Sequence, residues 1–218
     1  MKRITAKQAA EHVEDGMTVM IGGFMANGTP EILMDALVEK GVKNLTVIAN
    51  DTGLPGVGIA KLVEAGMVTK LIASHIGLTP KTGQLMNEDK LEVTLVPQGT
   101  LAEQIRAGGS GLGGVLTPTG LGTDVAVGKK IVIVDGKEYL LEKPIRADVA
   151  LIRGSIVDLK GNIFYRGTTR NFNTMMATAA DKVIVAAEEV VASGKLAGEN
   201  IVTPGIFVDY IVGGETHE

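Results

Sequence analysis

The stretch DGMTVMIGGFMANGTP, residues 15–30, decides how the rest of the chain is read. Apolar-leaning residues 17–21 run straight into Gly22, Gly23 and Phe24, and Gly28-Thr29-Pro30 then opens an amphipathic segment. A short apolar run closed by glycine is the pattern of a strand buried on both faces of a parallel sheet. Glycine has no Cβ, so the chain can turn sharply after the strand and a ligand can approach the main chain closely. In open α/β sheets the carboxyl ends of the strands form the binding face, and this loop lies there. Thr29 is placed to cap the following helix, Pro30 suits its first position, and Glu31 is favoured near the positive end of the helix dipole.

The same rhythm continues along the chain. Strands are predicted over residues 45–49, 68–73 and 93–96, and helices over 30–40, 59–65 and 101–107, with Gly41 and Gly66 where helices should end. Thr5 with Gln8 predicts a capping box for a first helix ending near Asp15, and Thr100 with Glu103 predicts another. Strands alternating with helices at this spacing form right-handed βαβ crossovers and hence a parallel sheet. The rhythm then changes. KKIVIVDGKEYLLEK, residues 129–143, reads as two strands joined at Asp135-Gly136, a favoured hairpin turn. Strands recur over 149–152 and 183–187, with a helix over 173–180. The expected fold is α/β, a mainly parallel sheet flanked by helices with an antiparallel hairpin excursion, all 218 residues in a single domain.

Composition removes several classes of function. The net charge is −4 with both signs interspersed, which gives no basic stripe for nucleic acid and no cationic face for a membrane. The absence of cysteine excludes thiol nucleophiles, thiolate metal sites and disulfides. His12, His75 and His217 are scattered without ligand spacing, so no metal is expected. No apolar run reaches the ~18 residues needed to cross a bilayer, and no signal-peptide core is read near residue 1, so a cytoplasmic location is expected. Glycine is 29 of 218 residues, concentrated between periodic segments, which predicts many tight turns and close backbone contacts.

GSGLGG, residues 109–114, matches G-x-G-x-x-G with Asp135 about 20 residues on, the outline of a dinucleotide fingerprint. Its context is wrong: the fingerprint follows a strand and opens a helix, whereas a helix is expected to precede these glycines. No G-K-[ST] follows, so no P-loop is present. The loop reads either as a compact turn packed on a neighbour or as a ligand loop. Gln98, beside Gly99 just past a strand, can donate to a developing oxyanion or can bond its own turn. Asn50-Asp51 likewise lines a strand end or forms an Asx turn. His75 is read as a structural histidine, and Arg170, Asn171 and Asn173 as helix caps.

The residues of the opening stretch also form an ordered signature. Asp15, Gly16, Val19, Met20, Ile21, Gly22, Gly23, Phe24, Gly28 and Pro30 stand in a pattern that resembles the class I CoA-transferase family. IANDTG (48–53), ASHIG (73–77), PQGTLAEQIRAGGSGLGG (97–114), TPTGLGT (117–123) and RNFN (170–173) are similar to the alpha subunit of that family, so the resemblance covers nearly the whole chain. It implies a CoA-transferase-like open α/β fold and an exchange of CoA between an acyl-CoA and a short-chain acid such as acetate, butyrate or acetoacetate. It implies that Gly22, Gly23, Phe24, Met25, Ala26, Asn27 and Gly28 form the CoA-binding loop, that Gln98 supports the thioester oxyanion, and that Asn50 and Gly99 line the acyl site. CoA thioester would be a substrate, with no permanently bound cofactor. The family's nucleophilic glutamate lies in a Ser-Glu-Asn-Gly type segment of the beta subunit. Here the nearest string, residues 198–200, has the wrong order, and Glu188 and Glu189 read as solvated. The implied partner is therefore a beta chain, in an assembly of two alpha and two beta chains. A different class of function, a non-catalytic module binding CoA or a phosphorylated ligand, uses the same scaffold without turnover. A sugar-phosphate isomerase would need an acid–base pair near the crevice, and no convincing spacing supplies one.

Overall fold

A computed structural model describes residues 2–217. Its strands are β1 Lys2–Ile4, β2 Thr18–Ile21, β3 Leu45–Ile48, β4 Val68–Ala73, β5 Glu92–Leu95, β6 Val115–Thr117, β7 Lys130–Val134, β8 Lys137–Glu142, β9 Ala147–Asp158, β10 Ile163–Phe164, β11 Ala180–Val191 and β12 Tyr210–His217. Its α-helices are α1 Ala6–Ala10, α2 Glu31–Lys40, α3 Ala60–Glu64, α4 Pro80–Asn87, α5 Gln98–Gly109 and α6 Asn173–Met176.

The main sheet has the order β1-β12-β11-β9-β2-β3-β4-β5 with every pair parallel, and β10 adds antiparallel to β9. From β2 the chain steps outward to β5, then returns to lay β9 on the other side of β2 and steps outward again. The reversal between β2 and β9 is a topological switch point, where open α/β sheets leave a crevice at their carboxyl ends. The apolar run predicted this placement well: Val19, Met20 and Ile21 are fully buried. Because strand side chains alternate, Val19 and Ile21 pack with Leu33, Met34 and Leu37 of α2, while Met20 packs on the opposite side with Leu101 and Ile105 of α5. β9 and β11 are longer than the sequence predicts. β2 covers only Val149, Ala150 and Leu151 of β9, yet β9 and β11 stay paired to Asp158 and Val191, well past the end of β2.

β6, β8 and β7 form the separate antiparallel sheet, and the hairpin turns where the sequence places it. Asp135 (φ 49°) and Gly136 (φ 75°) are both left-handed, the backbone of a type I′ turn. Among the described residues, no helix is long and apolar enough to cross a membrane.

Several boundaries differ from the sequence reading. The Thr5–Gln8 capping box forms, but α1 stops at Ala10 rather than near Asp15. Pro30 is the N-cap of α2 rather than its first residue, and Thr29 makes no side-chain cap because its hydroxyl is packed under Gly23. α5 begins at Gln98 with Pro97 as N-cap, so Thr100 lies inside the helix and Glu103 pairs with Arg106 instead of closing a capping box. The helix expected over 173–180 is one turn, because Ala180 already belongs to β11. The glycines at 108 and 109 end α5 rather than opening a helix. A Cβ at Gly108 would lie 2.0 Å from the Ile145 carbonyl and one at Gly109 would lie 2.1 Å from Thr178 Oγ1, so these two glycines serve close packing.

Candidate active site

At the end of β2, Gly22 N–H still donates to Leu151 O of β9 (3.0 Å), and the chain then leaves the sheet. Phe24 and Asn27 exchange backbone hydrogen bonds of 3.0 and 2.9 Å around Met25 (φ 50°) and Ala26 (φ 66°). This is again a type I′ turn, built here from two residues that carry a Cβ and resist left-handed backbone by roughly 1–2 kcal/mol each. Anchors on both sides hold it. Asp51 Oδ2 accepts the Met25 N–H at 2.9 Å. Opposite, Asn171 Oδ1 accepts the Gly23 N–H at 3.2 Å and Asn171 Nδ2 donates to Asn27 O at 2.9 Å. Asn27 Nδ2 donates to Thr168 Oγ1, and Asn173 Nδ2 donates to Gly28 O at 2.9 Å.

The loop glycines are required first by packing within the chain itself. A Cβ at Gly22 would fall 1.8 Å from Asn173 Oδ1, one at Gly23 (φ 128°) 2.0 Å from Thr29 Oγ1, and one at Gly28 (φ 77°) 2.9 Å from Asn171 Nδ2. The room these glycines leave is filled by the protein's own side chains. Phe24 and Met25 at the tip are the exposed apolar surface of the loop.

Facing the tip is the end of β3. Asn50 and Asp51 are buried, 2% and 4% exposed. Ser74 Oγ shares its one hydrogen between Asn50 O at 2.8 Å and Asn50 Oδ1 at 3.0 Å, and Asn50 Nδ2 donates to Asp51 Oδ2 at 2.7 Å, so Asp51 chiefly sets the orientation of the amide and Ser74 supports it. Asp51 Oδ1 accepts from Gly53 N at 2.6 Å, an Asx turn. Gln98, in the first turn of α5, is exposed, and among the described residues its side chain has no protein hydrogen-bond partner. It is not the locally bonded turn glutamine that its position allowed.

Phe24, Met25, Asn50, Asp51, Ser74, His75, Leu78 and Gln98 enclose an open cleft of about 350 Å³. On the other side of the tip, Phe24, Met25, Asn27, Thr168 and Asn171 line a second cleft of about 440 Å³. Gln98 and Asn50 thus meet in one cleft, whereas Gly99 lines a separate one of about 570 Å³ between α5 and β6. His75 is exposed in the first cleft with its ring seated over Gly77, so it is not a buried structural histidine.

Asp51, Glu188 and Glu189 are all engaged. Asp51 accepts three N–H donors. Glu188 pairs with Arg153 at 2.7 Å and Glu189 with Arg166 at 2.9 Å on the overhanging part of β11, so they are ion-paired rather than simply solvated. Glu199 sits in an exposed turn. Tyr165 is buried with its hydroxyl 2.8 Å from Thr203 Oγ1, and burial pushes its phenol up to about 12.

Asn171 and Asn173, which the sequence places as helix caps, are the latch of the loop. The signal available was two amides flanking Phe172 at a spacing of two; their partners, about 145 residues away in the chain, carry no local trace.

A family model described as Coenzyme A transferase matches residues 3–214. The chain is 59% identical over 199 residues to the acetoacetyl-CoA:acetate/butyrate CoA transferase alpha subunit of Clostridium acetobutylicum, covering 91% of each chain. It is 52% identical over 211 residues to the acetate CoA-transferase subunit alpha of Escherichia coli, covering 97% of this chain and 96% of that one. Among solved structures, the acyl-CoA transferase of E. coli O157:H7 in a thioester complex with CoA superposes with a TM-score of 0.84 at 23% identity. That match covers 96% of this chain and 46% of the other, so the present chain spans less than half of it; at this identity the likeness concerns the fold.

Proposed function

The chain belongs to the coenzyme A transferase family, and from that premise we propose that it is the alpha subunit of a two-subunit acyl-CoA:carboxylate CoA-transferase. Its substrates are an acyl-CoA and a short-chain acid such as acetate, butyrate or acetoacetate, and CoA thioester enters as substrate with no permanently bound cofactor. The observation that carries this reading is the convergence of two neutral amides, Gln98 and Asn50, on one cleft whose only carboxylate, Asp51, is already committed to three donors.

In such an exchange an enzyme carboxylate attacks the thioester carbonyl, the C–S bond breaks, and an acyl-enzyme anhydride and CoA thiolate result. The thiolate then attacks the enzyme-side carbonyl, releasing the first acid and leaving an enzyme-CoA thioester. The second acid reverses both steps and regenerates the carboxylate. Each tetrahedral intermediate carries an oxyanion, and fixed N–H donors stabilise it best when they need no reorganisation. Gln98 Nε2 is available for that task, and the second amide hydrogen of Asn50 is held in orientation by Ser74 and Asp51. Anhydride and thioester both hydrolyse readily, so water must be kept out. Phe24, Met25 and Leu78 give this cleft apolar walls, and the loop of residues 22–28 guides the CoA arm toward the second cleft.

The attacking glutamate is assigned to a beta subunit, in an assembly of two alpha and two beta chains located in the cytoplasm. Glu188 and Glu189 are ion-paired, and among the described residues no glutamate lines the cleft that Gln98 and Asn50 share, which supports placing the nucleophile in the partner. The same observation favours a second reading, a CoA or phosphorylated-ligand binding module. Acetoacetyl-CoA:acetate exchange, measured for the chain alone and for the chain co-purified with its second subunit, separates them. Exchange by the pair alone supports the alpha-subunit reading; CoA binding by the chain with no exchange in either preparation supports the module; exchange by the isolated chain overturns the division of labour.

A further inference from the structure

One carboxylate oxygen joins the two walls of the cleft. Asp51 Oδ2 receives both Asn50 Nδ2 at 2.7 Å and Met25 N–H at 2.9 Å, while Oδ1 is held by Gly53 N at 2.6 Å. Asp51 is 4% exposed and lies three residues beyond the end of β3, an interior strand of the sheet, so it is a fixed post. The segment it holds needs a post. A type I′ turn is favoured by Asn-Gly and similar pairs, yet the tip uses Met25 and Ala26, whose left-handed φ values of 50° and 66° would relax without an external anchor. Relaxation would carry Phe24 and Met25, which line both clefts, away from Gln98.

We propose that Asp51 is a positioning residue: through one oxygen it sets the Asn50 amide and the Phe24–Met25 tip relative to each other, and so fixes the width of the cleft that receives the acyl thioester. The proposal rests on the reading of that cleft as the acyl-CoA site. Asp51 does no chemistry on the substrate. Its role is to hold a strained turn in the one arrangement in which both walls face the same carbonyl.

The test uses the complex of this chain with its second subunit. Asp51→Ala would also remove the Gly53 turn, so the variant of choice is Asp51→Ser, whose single hydroxyl can keep that turn but cannot also serve Met25. Two readouts are taken: hydrogen exchange of the segment 22–28 by mass spectrometry, which does not depend on activity, and KM and kcat for acetoacetyl-CoA with acetate. Asp51→Ser is expected to speed exchange in that segment about tenfold and raise KM about tenfold, the scale of one lost hydrogen bond to a charged acceptor. Asp51→Asn keeps an amide oxygen for Met25 and Asn50 but sets its Nδ2 against the Gly53 N–H, so it loses the turn while keeping the tether and should disturb both readouts less than Asp51→Ser does. Adding Ala26→Gly to Asp51→Ser should return both readouts most of the way, because glycine adopts the left-handed turn without a Cβ penalty. Unchanged exchange in Asp51→Ser overturns the tether. Faster exchange with unchanged KM overturns the positioning role while leaving the Gln98 assignment to its own test. Failure of Ala26→Gly to restore either readout overturns the strain argument.

Discussion

Asn173 occupies the space that a side chain at Gly22 would need. Its Oδ1 lies 1.8 Å from the position of a Cβ there while accepting the Arg153 N–H at 3.0 Å, and its Nδ2 serves Gly28 O and Thr169 O. With three bonds and no exposure, the amide has nowhere to move. Gly22→Ala is therefore expected to destabilise the chain by about 1–3 kcal/mol from overpacking, before any bond is lost. Thermal denaturation checks this, and a melting temperature equal to the parent's would show that the latch yields.

Gly23→Val reads from sequence as a variant that weakens CoA binding and spares assembly. The structure changes that expectation. With φ at 128° and Thr29 Oγ1 2.0 Å from the new Cβ, valine strains the backbone and collides with a buried threonine. Loss of stability and of assembly should accompany any loss of binding. Gel filtration beside a CoA-binding titration distinguishes the two accounts, and an intact assembly that no longer binds CoA would favour the simpler ligand-contact role.

Gln98→Ala is expected to lower kcat by about 10²-fold, the scale of one lost oxyanion donor. Because Gln98 is exposed with no protein partner among the described residues, the melting temperature should not change. Activity and melting measured on the same preparation decide the matter. Unchanged turnover removes Gln98 from the chemistry.

Tyr165 makes the fold sensitive to alkali. Burial raises its phenol from 10.0 to about 12, so the folded state holds a proton that the unfolded chain releases earlier. The associated stability is complete below pH 10 and is lost as pH rises through about 12. Tyr165→Phe should flatten melting temperature against pH in that window, while costing about 1 kcal/mol at neutral pH through the partner left behind at Thr203. Parallel pH profiles for parent and variant would reject the assignment.

Glu142 is 2% exposed and is neutralised by Lys129 Nζ at 2.7 Å, with Gln104 Nε2 at 3.0 Å. Lys129→Met leaves a buried charge uncompensated and should destabilise by about 3 kcal/mol, near the low end for a broken buried pair because Lys129 is itself partly exposed. Lys129→Met with Glu142→Gln should recover most of that loss. A denaturant double-mutant cycle without coupling would contradict the pairing.

How far the sequence reached depended on whether its signals were local. β2 was legible because three consecutive apolar residues end in two glycines, and the hairpin because Asp135-Gly136 is its own turn signal. α4 was not, since PKTGQLMN is polar and carries Gly83 in its middle, and β12 lacks a local strand signal because Gly213 and Gly214, both left-handed, interrupt it where the ladder to β11 passes from Gly213 to Glu215. α5 was begun three residues late because Thr100 and Glu103 imitate a capping box that Pro97 makes unnecessary. In the site, Asn50 and Gln98 could be brought together from sequence because parallel strands collect their carboxyl ends on one side of the sheet. The latch from Asn171 and Asn173 could not, because its partners are distant in sequence.

The shared wall of Phe24 and Met25 makes the loop a bulkhead between two compartments of about 350 and 440 Å³. Space conceded by one is taken by the other. A change at Thr168 or Asn171, which line only the second compartment, therefore shifts the wall of the first from behind, and on the proposed reading of the first as the acyl site it retunes the length of chain admitted without touching Gln98 or Asn50.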